Sequence, residues 1–135
     1  MSVLSAFLHP VTTTEEKEVV ISKRFVDEKG NPVPFKIKAI TQEENDALVK
    51  AATKVEYKNG ARMEYLDSVD FARRLVVAAT MSPDFSSKDM CDAYGVVSPL
   101  MVPGKMLLSG EYNRLAKAIS DLSGLGDLLE TEVKN

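Results

Sequence analysis

Histidine and cysteine are nearly missing from this chain, and tryptophan is absent: its 135 residues include one His, one Cys and no Trp. His9, beside Pro10 near the N-terminus, has no second histidine to join it, so a histidine-pair metal site is excluded, and neither catalytic nor metal duty is expected of it. Cys91 has no cysteine partner, which excludes an internal disulfide and fits a reducing compartment. With no histidine near it in sequence, it reads as a structural cysteine. Positive charge is also in short supply: 17 Lys and Arg against 20 Asp and Glu give a formal net charge of -3. Such a chain has no global field to collect nucleic-acid phosphates or anionic lipid. No segment approaches the roughly twenty apolar residues of a membrane span. The opening "MSVLSAFLHPVTTTEE" lacks the basic start and long apolar centre of a secretory signal. No nucleic acid, no membrane and a cytoplasmic location are therefore expected.

Familiar site motifs are missing too. Gly104-Lys105 looks like the end of a phosphate-binding loop, but that loop needs a glycine five residues earlier and a hydroxyl after the lysine. Pro99 and Met106 stand there instead, so Lys105 reads as a surface lysine. The pairs Glu43-Glu44, Asp89-Asp92 and Glu130-Glu132 lie in polar surroundings that would not separate their acidities for acid-base work. Calcium-loop spacing is absent. The stretch "SSKDMCDAYGVVSPLMVPGKML" imitates a helix-turn-helix, yet Pro99 and Pro103 fall in its second helix. No Arg, Lys, Asn or Gln between Ser98 and Gly104 could meet a base edge. No enzyme, cofactor or metal site is expected; a DNA-binding regulator stands as the weaker alternative.

What the chain does carry is amphipathic pattern. Val3, Leu4, Phe7 and Leu8 form a short apolar arm, expected to pack on its own domain in preference to a partner. "VPFKIKAI" alternates, with Phe35, Ile37 and Ala39 on one side and Lys36 and Lys38 on the other. It reads as one of two antiparallel strands joined through Gly30-Asn31-Pro32. Thr41 followed by Glu44 has capping-box spacing and starts a helix to about Thr53. Asn59-Gly60 suits a tight hairpin turn, whose strands are expected to add to the first sheet. Asp67 or Ser68 starts a helix running through the apolar "LVVAATM". Ser86 or Ser87 starts a shorter one, closed by Gly95. Pro103-Gly104 is read as the entrance to the last helix.

That last helix has the strongest periodicity: Leu108, Tyr112, Leu115, Ala116, Ile119 and Leu122 recur at three- and four-residue steps, opposite Asn113, Arg114, Lys117 and Asp121. Such a seam completes a domain's own core or takes a partner's helix, and periodicity alone does not choose. Leu125, Leu128 and Leu129 continue the apolar character. The candidate protein-binding set is Tyr112, Leu115, Ile119, Leu122, Leu125, Leu128 and Leu129. The fold class expected is α+β: a small antiparallel sheet from the N-terminal half packed against helices mainly from the C-terminal half. Residues 1–14 form an arm, 15–125 a single domain and 126–135 a tail.

The order of "VVISKRFVDEKGNPVPFKIKAITQEENDAL", "YLDSVDFARRLVVAATMSPDF", "DMCDAYGV" and "MLLSGEYNRL" resembles the XkdN-like tail assembly chaperones of phages and PBSX-type prophages of Gram-positive bacteria. The resemblance spans about residues 15 to 125. It implies a non-virion protein of the bacterial host cytoplasm that binds the tape measure protein and keeps it soluble until tail tube subunits polymerise. It also implies a tail tube partner reached through a frameshifted longer form; Val133-Lys134-Asn135 is compatible with a slippery A AAA AAC. A structural tail or connector subunit is the first alternative, and self-association is left open.

Overall fold

A computed structural model describes residues 3–11 and 16–124. Two layers share one apolar core. The first is a three-stranded antiparallel sheet in the order β1-β2-β5, from β1 (Glu16–Val19), β2 (Phe35–Lys38) and β5 (Thr80–Ser82). Phe35 and Ile37 are buried while Lys36 and Lys38 stay part-exposed, as a half-buried strand requires. β1 lies antiparallel to β2 with Glu16 opposite Lys38 and Val19 opposite Phe35. Their connection includes the expected turn: Asp27 Oδ1 accepts from the amides of Lys29 and Asn31, both at 2.9 Å, and Gly30 takes φ 84°.

The second layer is helical. α2 (Gln42–Ala52) begins on the expected capping box: Thr41 Oγ1 accepts from the Glu44 amide and Glu44 Oε1 from the Thr41 amide, each at 3.2 Å. Asp67 caps α3 (Ser68–Ala79), and Ser87 caps α4 (Lys88–Ala93), which gives way to Gly95 at φ 65°. α6 (Ser109–Leu122) packs on α3 and β2. Ile21, Ile37, Val76, Phe85, Val102, Leu115 and Ile119 are fully enclosed between the layers.

The structure corrects several expectations. Between α2 and α3 the chain forms a hairpin, β3 (Thr53–Lys58) and β4 (Ala61–Leu66), with Asn59 at φ 52° and Gly60 at φ 81°. The turn is as expected, but the hairpin is a separate two-stranded sheet and does not extend the first. "LVVAATM" is not wholly helical: α3 ends at Ala79 and Thr80 turns extended to pair with Ile37. Pro83 disfavours the helical region at Ser82, and that steric signal was available in the sequence. Pro103 does not open the last helix. It sits in the first turn of the short α5 (Val102–Met106), where its missing N–H costs nothing. Leu107 and Leu108 are then extended, so α6 starts only at Ser109. The N-terminal arm is a helix, α1 (Val3–Leu8), but it buries none of its residues: Phe7 is 77% exposed and Leu4 63%. Self-packing of the arm is thus overturned.

Candidate protein-binding surfaces

The seam of α6 faces inward. Leu115 and Ile119 are fully buried in the core cluster; Tyr112, Ala116 and Leu122 pack partly buried against it. Two of the candidate binding residues, Leu115 and Ile119, therefore have no surface to offer while the fold is closed. Leu108, at the head of the sequence pattern, is 62% exposed because it lies in the break before the helix. Leu125, Leu128 and Leu129 lie outside the described residues.

That break is held by a polar cluster joining segments 87 residues apart. Arg24 Nη2 donates to Glu111 Oε1 at 2.5 Å and Nε to Oε2 at 3.1 Å, a two-point guanidinium-carboxylate pair. The same Nη2 donates to the Met106 carbonyl, and the Leu108 amide donates to Glu111 Oε1 at 2.8 Å. Arg24 chiefly, with Ser22 and the Leu108 amide, holds the Glu111 carboxyl down at about 2. Arg24 also lies 4.9 Å from the Phe25 ring centroid. Further along α6, Arg114 donates to the Ile21 carbonyl. Long-range pairing of this kind leaves no periodic trace, and sequence reading missed it.

The remaining candidates are ordinary. Cys91 is buried, with Sγ 3.8 Å from the Phe85 carbonyl. Lys105 and His9 are exposed. Glu44 serves the α2 cap, and Asp92 pairs with Lys88 at 3.0 Å. Where a reading helix would lie stand a single 3-10 turn (Pro99–Met101) and α5, whose Val102 and Pro103 are buried. No cluster of His, Cys, Asp or Glu suited to a metal occurs among the described residues. No helix among them is long and apolar enough to cross a membrane.

Besides α1, two surfaces that carry large apolar side chains stay uncovered among the described residues. The first is the β3-β4 hairpin, where every residue from Val55 to Leu66 is exposed, including Tyr57, Met63, Tyr65 and Leu66. Its base is fixed: the Asp67 amide donates to the Ala52 carbonyl, and Lys54 Nζ reaches Asp70 at 3.0 Å. Asp70 also receives Arg74, and the two cations hold its carboxyl below the usual range, Arg74 contributing first. The second is an open groove of about 480 Å³ between α3, α5 and the start of α6, lined among others by Val69, Ala72, Arg73, Gly104, Leu107 and Tyr112. Burial pushes the Tyr112 phenol up, and Arg73 pulls the other way.

Among the described residues the chain is a small α+β domain that leaves large apolar side chains exposed. Residues 4–135 match the family described as phage XkdN-like tail assembly chaperone protein, and the chain belongs to that family. It is 44% identical over 138 aligned positions to the phage-like element PBSX protein XkdN of Bacillus subtilis (strain 168), covering 96% of this chain and 93% of that one. The uncharacterized protein YqbN of the same organism is 45% identical over 119 positions, covering 86% and 79%. A crystal structure of the protein yqbn superposes with a TM-score of 0.73 at 36% identity, over 88% of this chain and 94% of that one. The family is one of phage tail assembly chaperones, and the resemblance read from the sequence is thereby shown.

Proposed function

We propose that this chain captures the tape measure protein of its phage or prophage in the host cytoplasm and masks its apolar helical faces until tail tube subunits assemble. The observation that carries this reading is the exposed hairpin, displayed by a member of a tail assembly chaperone family. Tyr and Met are enriched in protein interfaces because they give large, adaptable apolar contact. The hairpin offers Met63 and Tyr65 on one face and Val55 and Tyr57 on the other, each across from a charged residue, and the Lys54–Asp70–Arg74 cluster ties its base to α3. Leu125, Leu128 and Leu129, outside the described residues, keep their place in the candidate set on the sequence alone. Many weak contacts along one long partner add up through effective concentration, so no single tight pocket is required.

Co-expression with the neighbouring tape measure gene, followed by co-purification, tests the reading. The chain should bring down soluble tape measure, and Tyr57→Asp combined with Met63→Asp should abolish capture without lowering thermal stability. Unchanged capture by that variant would remove the hairpin from the mechanism. A chain retained in purified tails would instead mark a structural subunit. The longer form, with the tube protein as its partner, requires an open minus-one frame past the stop in the gene.

A further inference from the structure

Among the described residues the β3-β4 hairpin stands alone as a two-stranded sheet, so each strand has a free edge. Alternate side chains share a face, and the register sorts them unevenly. On one face β4 contributes an apolar row, Ala61, Met63 and Tyr65, while β3 contributes a charged one, Lys54, Glu56 and Lys58. On the other face β4 carries the charges, Arg62 and Glu64. The apolar row of β4 thus runs along an outer edge with no neighbour beyond it, Met63 being 52% exposed and Tyr65 49%.

The backbone of that edge is open as well. The two-residue turn at Asn59-Gly60 closes on Lys58 and Ala61 as a hydrogen-bonded pair, and bonded and non-bonded pairs alternate from there. Arg62 and Glu64 fall in non-bonded pairs, so their N–H and C=O groups point away from β3, and no other described residue bonds them. Free edges are normally guarded by lysine, proline or a bulge. β3 carries Lys54 and Lys58, and its first two residues are part-covered by the domain. β4 has no lysine, no proline and no covered residue.

We infer that β4 recognises β4 of a second copy, the two strands pairing antiparallel about Met63 to join both hairpins into one continuous sheet. The sequence of the strand selects that register. Centred on Met63, it sets Arg62 opposite Glu64 of the other copy, Tyr65 opposite the small Ala61, and Met63 opposite itself. Moving the centre one residue either way sets Arg62 against Arg62 or Glu64 against Glu64. In the same register Arg62 and Glu64 exchange their outward backbone groups, and Met63 takes the close non-bonded position. Arg62 Nη1 and Glu64 Oε1 already meet at 2.7 Å within one strand, so the paired copies close a ring of alternating charges. On the opposite face the two apolar rows merge along the middle of the sheet, with the charged rows of β3 outside. The contact is isologous and closes as a dimer, its domains at opposite ends of the joined sheet. It needs no tape measure, so the test uses this protein alone and leaves capture to its own experiment.

Sedimentation of the full chain over a concentration series should show the mass rising from the 14.8 kDa monomer to twice that value and no further. Arg62→Glu and Glu64→Arg each set like charges opposite one another on both sides of the two-fold, and each should weaken dimerisation about tenfold or more. Both side chains are more than half exposed, so melting temperatures should hold. An equimolar mixture of the two variants restores opposite charges between copies and should dimerise as the parent does; a role confined to one chain would not be rescued by mixing. Met63→Cys should cross-link two copies on mild oxidation, because a non-bonded antiparallel pair brings its Cα atoms to about 4.5 Å. Ala61→Cys, placed opposite Tyr65, should not. A parent chain still monomeric at about 1 mM, the local concentration of copies held side by side, would overturn the inference. So would association that survives both charge reversals, a mixture no stronger than its components, or cross-linking through Ala61→Cys in preference to Met63→Cys.

Discussion

Ile119→Ala separates a core seam from a binding seam on α6. Ile119 is fully buried with Leu115, Ile37 and Val76 in one cluster. The substitution removes three carbon groups, worth about 0.8 kcal/mol each in transfer, and leaves a cavity whose cost brings the expected loss to about 3–4 kcal/mol. A domain of 135 residues has a total stability on the order of 7–15 kcal/mol, so that loss is a large share of it. With an unfolding entropy of about 2.1 cal/mol/K per residue, the melting temperature should fall by more than about 10 °C. Urea unfolding followed by circular dichroism should show the midpoint falling at constant slope. Leu108→Ala is the internal control: it is exposed in the break before α6, and its midpoint should barely move. If Ile119→Ala keeps the parent midpoint while tape measure capture collapses, the seam is a partner face and the packing described above is wrong.

Three further outcomes follow from single groups. Thr80 Oγ1 is buried with no hydrogen-bond partner, so the near-isosteric Thr80→Val should stabilise by about 1 kcal/mol, read as a rise in melting temperature. Glu111, held at about 2 against the usual 4.5, contributes stability that is fully present above about 4.5 and lost as pH falls toward 2; Glu111→Gln should flatten the pH dependence of the urea midpoint in that window. Thr41→Ala removes half of the α2 capping box and should cost about 1 kcal/mol, with amide exchange speeding first at Glu44.

Features that depend on a few adjacent residues were readable in advance. The Thr41-Glu44 box, the Asn59-Gly60 turn and the Gly95 closure all rest on local hydrogen bonding or allowed φ, and each occurs where the sequence places it. The alternation at Phe35 to Lys38 gave the buried face of β2 for the same reason. Where partners are distant, legibility ended. β5 exists because Thr80 finds Ile37, and a local window over "LVVAATM" sees only a good helix. The inward direction of the α6 seam depends on α3 and β2 packing against it, which periodicity does not encode. The arm had the opposite fault: its apolar stripe was plain, but the fold assigned it no cover. Tape measure binding rested on resemblance throughout, and no residue spacing in the chain specifies it.

The Arg24–Glu111 pair also bears on how the molecule opens. A helix start usually frays independently, exchanging its first amides long before the domain unfolds. Here the Leu108 amide is bonded to a carboxylate that is itself clamped by a residue near the other end of the chain. That clamp opposes release of its proton, so slow exchange of this one amide would report the contact between two distant segments.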